Sequence, residues 1–185
     1  MNNQNNLKKR SYKIALGGIV SSLCLLCMFL TGVFPVLMYG LPAIAGVLMI
    51  VIVIDVSKSW AYLTYFSVSI LSLLICPDKE AAVMFIGFFG FYPILKSTLE
   101  KIKIRSVEYI CKFAVFNACI LISYWVIINV FGIGDIIEEM GDFGDYGLLV
   151  MLLIANVTFF IYDIALTRII SSYINWFRPN ILRKR

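Results

Sequence analysis

Three charged side chains lie where this chain is otherwise apolar enough to sit in lipid: Asp55, Lys96 and Asp163. Charge at membrane depth is costly and usually faces a bundle interior or a water-filled cavity, so these residues are candidates for a proton or ion relay. The competing reading is a structural ion pair, or a lysine that reaches the headgroups along its own stem. That second reading is favoured, because the chain has no histidine to complete a relay. All three residues also fall near one end of their apolar segments, close enough to the surface to meet water.

The uncharged polar residues make a second set. Asn117 and Tyr124 are two helical turns apart and share a face; Asn156 and Asp163 repeat that spacing, with Thr167 one turn further. Asn117 and Asn156 fall near the middle of their segments. They are read either as contacts to a polar ligand or as hydrogen bonds between helices. The aromatics Tyr39, Tyr124, Trp125, Phe143 and Tyr146 gather at one membrane surface. They form a cap over a pocket or, as favoured, an ordinary interfacial belt, matched at the other surface by Trp60, Tyr173 and Trp176. Gly17 with Ser21 and Gly18 with Ser22 make overlapping small-xxx-small pairs that let another helix approach closely. Cys24 and Cys27 read as C-x-x-C, but with no second ligand pair they are packing residues rather than a redox or zinc site.

These residues require apolar helices to position them. Apolar residues make up 61% of the chain and charged ones 15%, against roughly 45–50% and about 25% in soluble domains. No charge occurs from Ile14 to Ile54, a run about twice the roughly 20 residues that one helix needs to cross the hydrocarbon. Two spans with a turn around Gly32, Pro35, Gly40 and Pro42 are expected there. Hydropathy predicts an all-α membrane protein, a single bundle of six transmembrane helices at about 13–34, 37–56, 59–76, 81–99, 107–131 and 146–170. Basic tails 1–12 and 178–185 flank it. The fourth span needs Lys96 to snorkel toward headgroups, and Gly90 with Pro93 predicts a kink in it.

Orientation follows from the basic residues, which concentrate on the cytoplasmic side. On six spans every Lys and Arg except Lys79 falls on the side of the two termini, which are therefore expected in the cytoplasm. The other face is acidic, with Asp78, Glu80 and the GDIIEEMGDFGD stretch, whose Ile136, Ile137 and Met140 suggest one amphipathic turn on the membrane. The N-terminus looks like a signal-peptide start, but its apolar stretch is too long and lacks a cleavage site, so a retained first span is expected.

Several functions find no motif. There is no Walker A loop, H-E-x-x-H, G-x-S-x-G or paired acidic metal motif, so no enzyme, no cofactor and no metal site are expected. The basic surface is explained by topology and anionic lipid, not nucleic acid. The halves do not mirror each other in hydropathy, which disfavours an inverted-repeat transporter.

FPVLMYGLPAIAGVLM, after the first span, and NVTFFIYDIALTRIISSYI, in the last, resemble the loop and second helix and the last helix of the S component of energy-coupling-factor vitamin importers. The resemblance implies a solitary substrate-binding subunit in a bacterial plasma membrane, docked on a transmembrane coupling subunit and cytoplasmic ATPases. It places partner docking at Ala15, Gly18 and Ser22. Ligand contacts are then expected from Tyr39, Asn117, Tyr124, Trp125 and Asn156. GFFGFYPILKSTLEK resembles instead an uncharacterised bacterial membrane family. The alternative function is a non-enzymatic scaffold or assembly protein that binds other membrane helices; a lone secondary transporter is the third reading.

Overall fold

The computed structural model describes residues 2–132 and 146–182, and no strand occurs among them. The aromatic Phe143, the acidic stretch before Tyr146 and the last three basic residues lie outside the described residues. The helices are α1 (Asn2–Leu30), α2 (Gly40–Asp55), α3 (Lys58–Ile75), α4 (Lys79–Leu99, in three parts), α5 (Arg105–Phe131) and α6 (Gly147–Ser172). Among the described residues five stretches are long and apolar enough to cross a membrane: Arg10–Leu30, Lys58–Ile75, Lys79–Leu99, Arg105–Phe131 and Leu149–Pro179. These are what a multi-pass membrane protein requires.

The second expected span, 37–56, differs. Pro35 opens a 3₁₀ turn, Pro35–Leu37, whose residues are thereby lost to the following helix, and α2 starts only at Gly40. Its 16 residues reach about 24 Å at about 1.5 Å per residue. The chain falls into two compact units, Met1–Ile133 and Gly134–Arg185.

In the first unit α2 is central, packing on α1, α3 and α4, while α5 lies along α4. One stripe of α1, Val20, Cys24 and Met28, is buried, as is Thr31 just beyond its end, and the Cys24 thiol donates to the Ala45 carbonyl at 3.3 Å. Cys24 is thus a packing residue between α1 and α2. The outward faces are as apolar as the core: Leu63, Phe66, Ile70 and Leu74 of α3 are all exposed, Leu74 to 76%. Such a surface is stable in acyl chains rather than in water.

Local chemistry sets the helix ends. The Ser57 hydroxyl accepts from the Trp60 amide at the start of α3, and Asp78 Oδ1 accepts from the Glu80 and Ala81 amides at the start of α4. Gly132 closes α5 with a left-handed φ of 66°. At one end of the unit Lys58 Nζ reaches Ser97 O at 3.1 Å and Thr98 Oγ1 at 2.7 Å. At the other, Thr31 and Cys76 meet at 3.4 Å and Gly32 lies against Pro77. Helices α1 to α4 therefore alternate in direction.

In the second unit α6 continues into a π-helical turn, Tyr173–Leu182, where the Tyr173 and Phe177 rings stack at 5.2 Å.

Candidate functional site

The middle of α4 departs from α-helix. Pro93 has no amide to return to Phe89 O, and its ring crowds that carbonyl. The chain responds by widening to a π turn over Phe85–Phe89, in which the Gly90 amide bonds Phe85 O at 2.8 Å, one residue further back than an α-helix allows. The helix is interrupted at Gly90 and Phe91, where a kink is expected from Gly90 and Pro93. Ile86 O loses the Gly90 amide it would have had, and the Tyr65 hydroxyl on α3 donates to it at 2.7 Å. Both glycines are needed. A Cβ on Gly90 would stand 2.8 Å from the Phe85 and Tyr65 rings, and one on Gly87 would collide with Ser123 Oγ of α5. Ser123 is buried and its hydroxyl has no hydrogen-bond partner. Sequence reasoning missed Tyr65, Gly87 and Ser123; only Gly90 and Pro93 pointed to the region.

Where α4 ends and α5 begins lies a buried ionic cluster. Lys96 is 0% exposed and its ammonium sits 3.0 Å from Glu100 Oε1, whose side chain is 36% exposed. Lys112, 3% exposed, stands 2.7 Å from Glu108 Oε1 and 3.9 Å from the same Glu100 oxygen, with its ammonium 5.5 Å from the Tyr109 ring centroid. Each lysine thus has a carboxylate at hand, and pairing of this kind offsets part of the cost of holding charge at membrane depth. Of the two favoured alternatives for Lys96, the ion pair is present: the ammonium is buried against the carboxylate one turn on and does not meet water. The signal was in the sequence, as i,i+4 pairs Lys96–Glu100 and Glu108–Lys112.

The other predicted residues lie on several elements of the two units. Asp55 closes α2 and is half-buried, while Asp163 lies buried on α6 in the second unit. Asn117 and Tyr124 share a half-buried face of α5, and Trp125 beside them is 62% exposed. Asn117 Nδ2 donates to Phe113 O at 2.8 Å and Asn156 Nδ2 to Leu152 O at 2.7 Å, so each amide returns a donor to its own helix. Tyr39 precedes α2 and is exposed, as is Tyr146 before α6. Between α4 and α5 the Phe88 ring meets Phe116 edge-on at 5.0 Å, and it stacks on Tyr92 of its own helix at 4.7 Å.

On α1 the small residues divide. Gly17 faces α3, where an added Cβ would meet Thr64 Oγ1 at 3.7 Å. Ala15, Gly18 and Ser22 lie on the opposite, exposed face; nothing stands within 4 Å of a Cβ on Gly18, and the Ser22 hydroxyl is satisfied by Gly18 O at 2.9 Å.

No family model matches the chain, and neither a curated protein nor a solved structure does.

Proposed function

We propose that this chain is a non-catalytic, multi-pass subunit of a plasma-membrane assembly, docking through α1 onto another membrane helix. The observation that carries the reading is the open face at Ala15, Gly18 and Ser22, where a neighbouring backbone can come close with no unsatisfied hydroxyl between. Within that class the resemblance of the first turn and last helix favours the substrate-binding S component of an energy-coupling-factor importer. Its partners are then a transmembrane coupling subunit and cytoplasmic ATPases, and its cargo is a vitamin-like small molecule. Six crossings with both termini in the cytoplasm, and a bacterial source, belong to this proposal, supported by the single-sided distribution of Lys and Arg.

A scaffold or assembly factor is the second reading. It is favoured by the aromatic packing between α4 and α5, where the Phe88 ring stacks on Tyr92 and meets Phe116 edge-on. Affinity purification in mild detergent with mass spectrometry separates the two. Co-purifying ATPases and coupling subunit, or a stoichiometric small molecule, support the importer. Recovery of other membrane proteins without either supports the scaffold.

A further inference from the structure

We propose that the connection between α1 and α2, residues 31–39, is immersed in the bilayer, lying in the acyl and glycerol layer of the leaflet at which Asp78, Lys79 and Glu80 emerge. This goes beyond the importer reading and is independent of it, needing only that α1 to α3 lie in a bilayer.

Helix length places the turn. Asp55 and Lys58 are the first charges after the long apolar run and mark one edge of the hydrocarbon. From there the 16 residues of α2 rise about 24 Å, about 6 Å short of the roughly 30 Å hydrocarbon thickness. The 21-residue apolar stretch Arg10–Leu30 of α1 covers that thickness in full. The turn that joins them must therefore descend from the interface into the hydrocarbon edge. Its starting level is fixed independently, because Thr31 meets Cys76 and Gly32 packs on Pro77, immediately before the charged residues 78–80.

The side chains suit acyl chains. Val33, Phe34, Leu37 and Tyr39 are exposed and Val36 is 96% exposed, with no charged residue among them. A seven-residue apolar stretch turned outward like this is unfavourable in water by the ordinary area rule. The backbone suits lipid as well. The amides of Gly32, Val33 and Phe34 return to Phe29 O, Leu30 O and Leu30 O, those of Leu37 and Met38 to Phe34 O and Pro35 O, and Pro35 has none to satisfy. Five amides of the turn are thus satisfied within the chain, which lowers the cost of placing it among acyl chains, and the Val36 amide, which has no such bond, is left to the polar groups of the glycerol layer.

The test uses the full chain in vesicles of phosphatidylcholine and phosphatidylglycerol. Val36→Cys and, as a control, Lys79→Cys are labelled with an environment-sensitive nitrobenzoxadiazole, and the unsubstituted chain treated identically supplies the background from its own cysteines. Nitroxides on the lipid acyl chains are expected to quench the Val36 probe severalfold more than the Lys79 probe, with iodide in water showing the reverse order and the Val36 emission shifted to the blue. Iodide reaching both probes equally would overturn the proposal. Should the Val36 variant not fold, Val33→Cys reports on the same turn with the same two outcomes.

Discussion

The hydroxyl of Tyr65 is the partner that α4 requires for the Ile86 carbonyl. Pro93 forces the ladder to widen, the Gly90 amide moves back to Phe85 O, and a carbonyl is released inside an apolar bundle. Left alone in lipid it would cost several kcal/mol. Tyr65 holds α3 and α4 in one register because its phenol reaches that single oxygen.

Tyr65→Phe is therefore expected to destabilise the chain by about 1–3 kcal/mol, the cost of a buried acceptor without a donor. Thermal unfolding in detergent should show the loss, and amide exchange should rise locally over residues 85–91. Ser67→Ala on the exposed face of the same helix, where the hydroxyl bonds only Leu63 O of its own turn, should leave both readouts unchanged. An unchanged melting temperature for Tyr65→Phe would show that Ile86 O finds another donor.

Gly87 and Ser123 should behave as a coupled pair. Gly87→Ala places a methyl against Ser123 Oγ, and overpacking of this kind costs about 1–3 kcal/mol. Ser123→Ala alone should be neutral or mildly stabilising, since its hydroxyl is buried without a partner. Combining the two should restore most of the loss, because the methyl then stands 3.4 Å from the Cβ of residue 123. A double-mutant cycle on unfolding midpoints measures the coupling; strict additivity would place the two residues apart.

The ionic cluster allows a test of the structural pair. Lys112→Met leaves Glu108 facing a buried apolar group and should cost about 3–5 kcal/mol, the range for breaking one half of a buried pair. Lys112→Met with Glu108→Leu should recover most of that, since apolar replacement of a whole buried pair is often neutral. If the single variant is instead as stable as the parent, the pair does not hold α5 in place.

How much of this was legible can be traced residue by residue. The charge-free run from Ile14 to Ile54 and the spacing of the other apolar stretches lead directly to helices, because lipid leaves the backbone no other choice. The interruption of α4 followed from Pro93 and Gly90, whose backbone constraints are intrinsic. The π turn did not, because its hydrogen-bond register depends on a phenol twenty-one positions earlier, at Tyr65. Lys96 was singled out and an ion pair was one of its favoured readings, but its partner Glu100 was not named. Hydropathy treats a lysine near a span end as bound for the headgroups and does not count the Glu100 and Lys112 that enclose it. The length of α2 was missed because a 3₁₀ turn at Pro35 is as apolar as a helix. Asn117 was placed at mid-depth on α5, but its donor to Phe113 O is invisible to a reading that looks only for partners on other helices.

The two adjacent glycines of α1 give the sharpest test of docking. Gly17 faces Thr64, so Gly17→Leu pushes a large side chain into the α1–α3 contact and should lower the unfolding temperature. Gly18→Leu meets open space and should leave unfolding unchanged while filling the groove that a neighbouring backbone would enter. Partner recovery by affinity purification should therefore fall severalfold for Gly18→Leu at full stability, and Ala15→Leu and Ser22→Leu on the same face should repeat the effect. If Gly18→Leu retains its partners as well as the parent does, α1 is not the docking helix. The lipid-facing side of α3, with Leu63, Phe66 and Ile70 outward, then becomes the surface to substitute next.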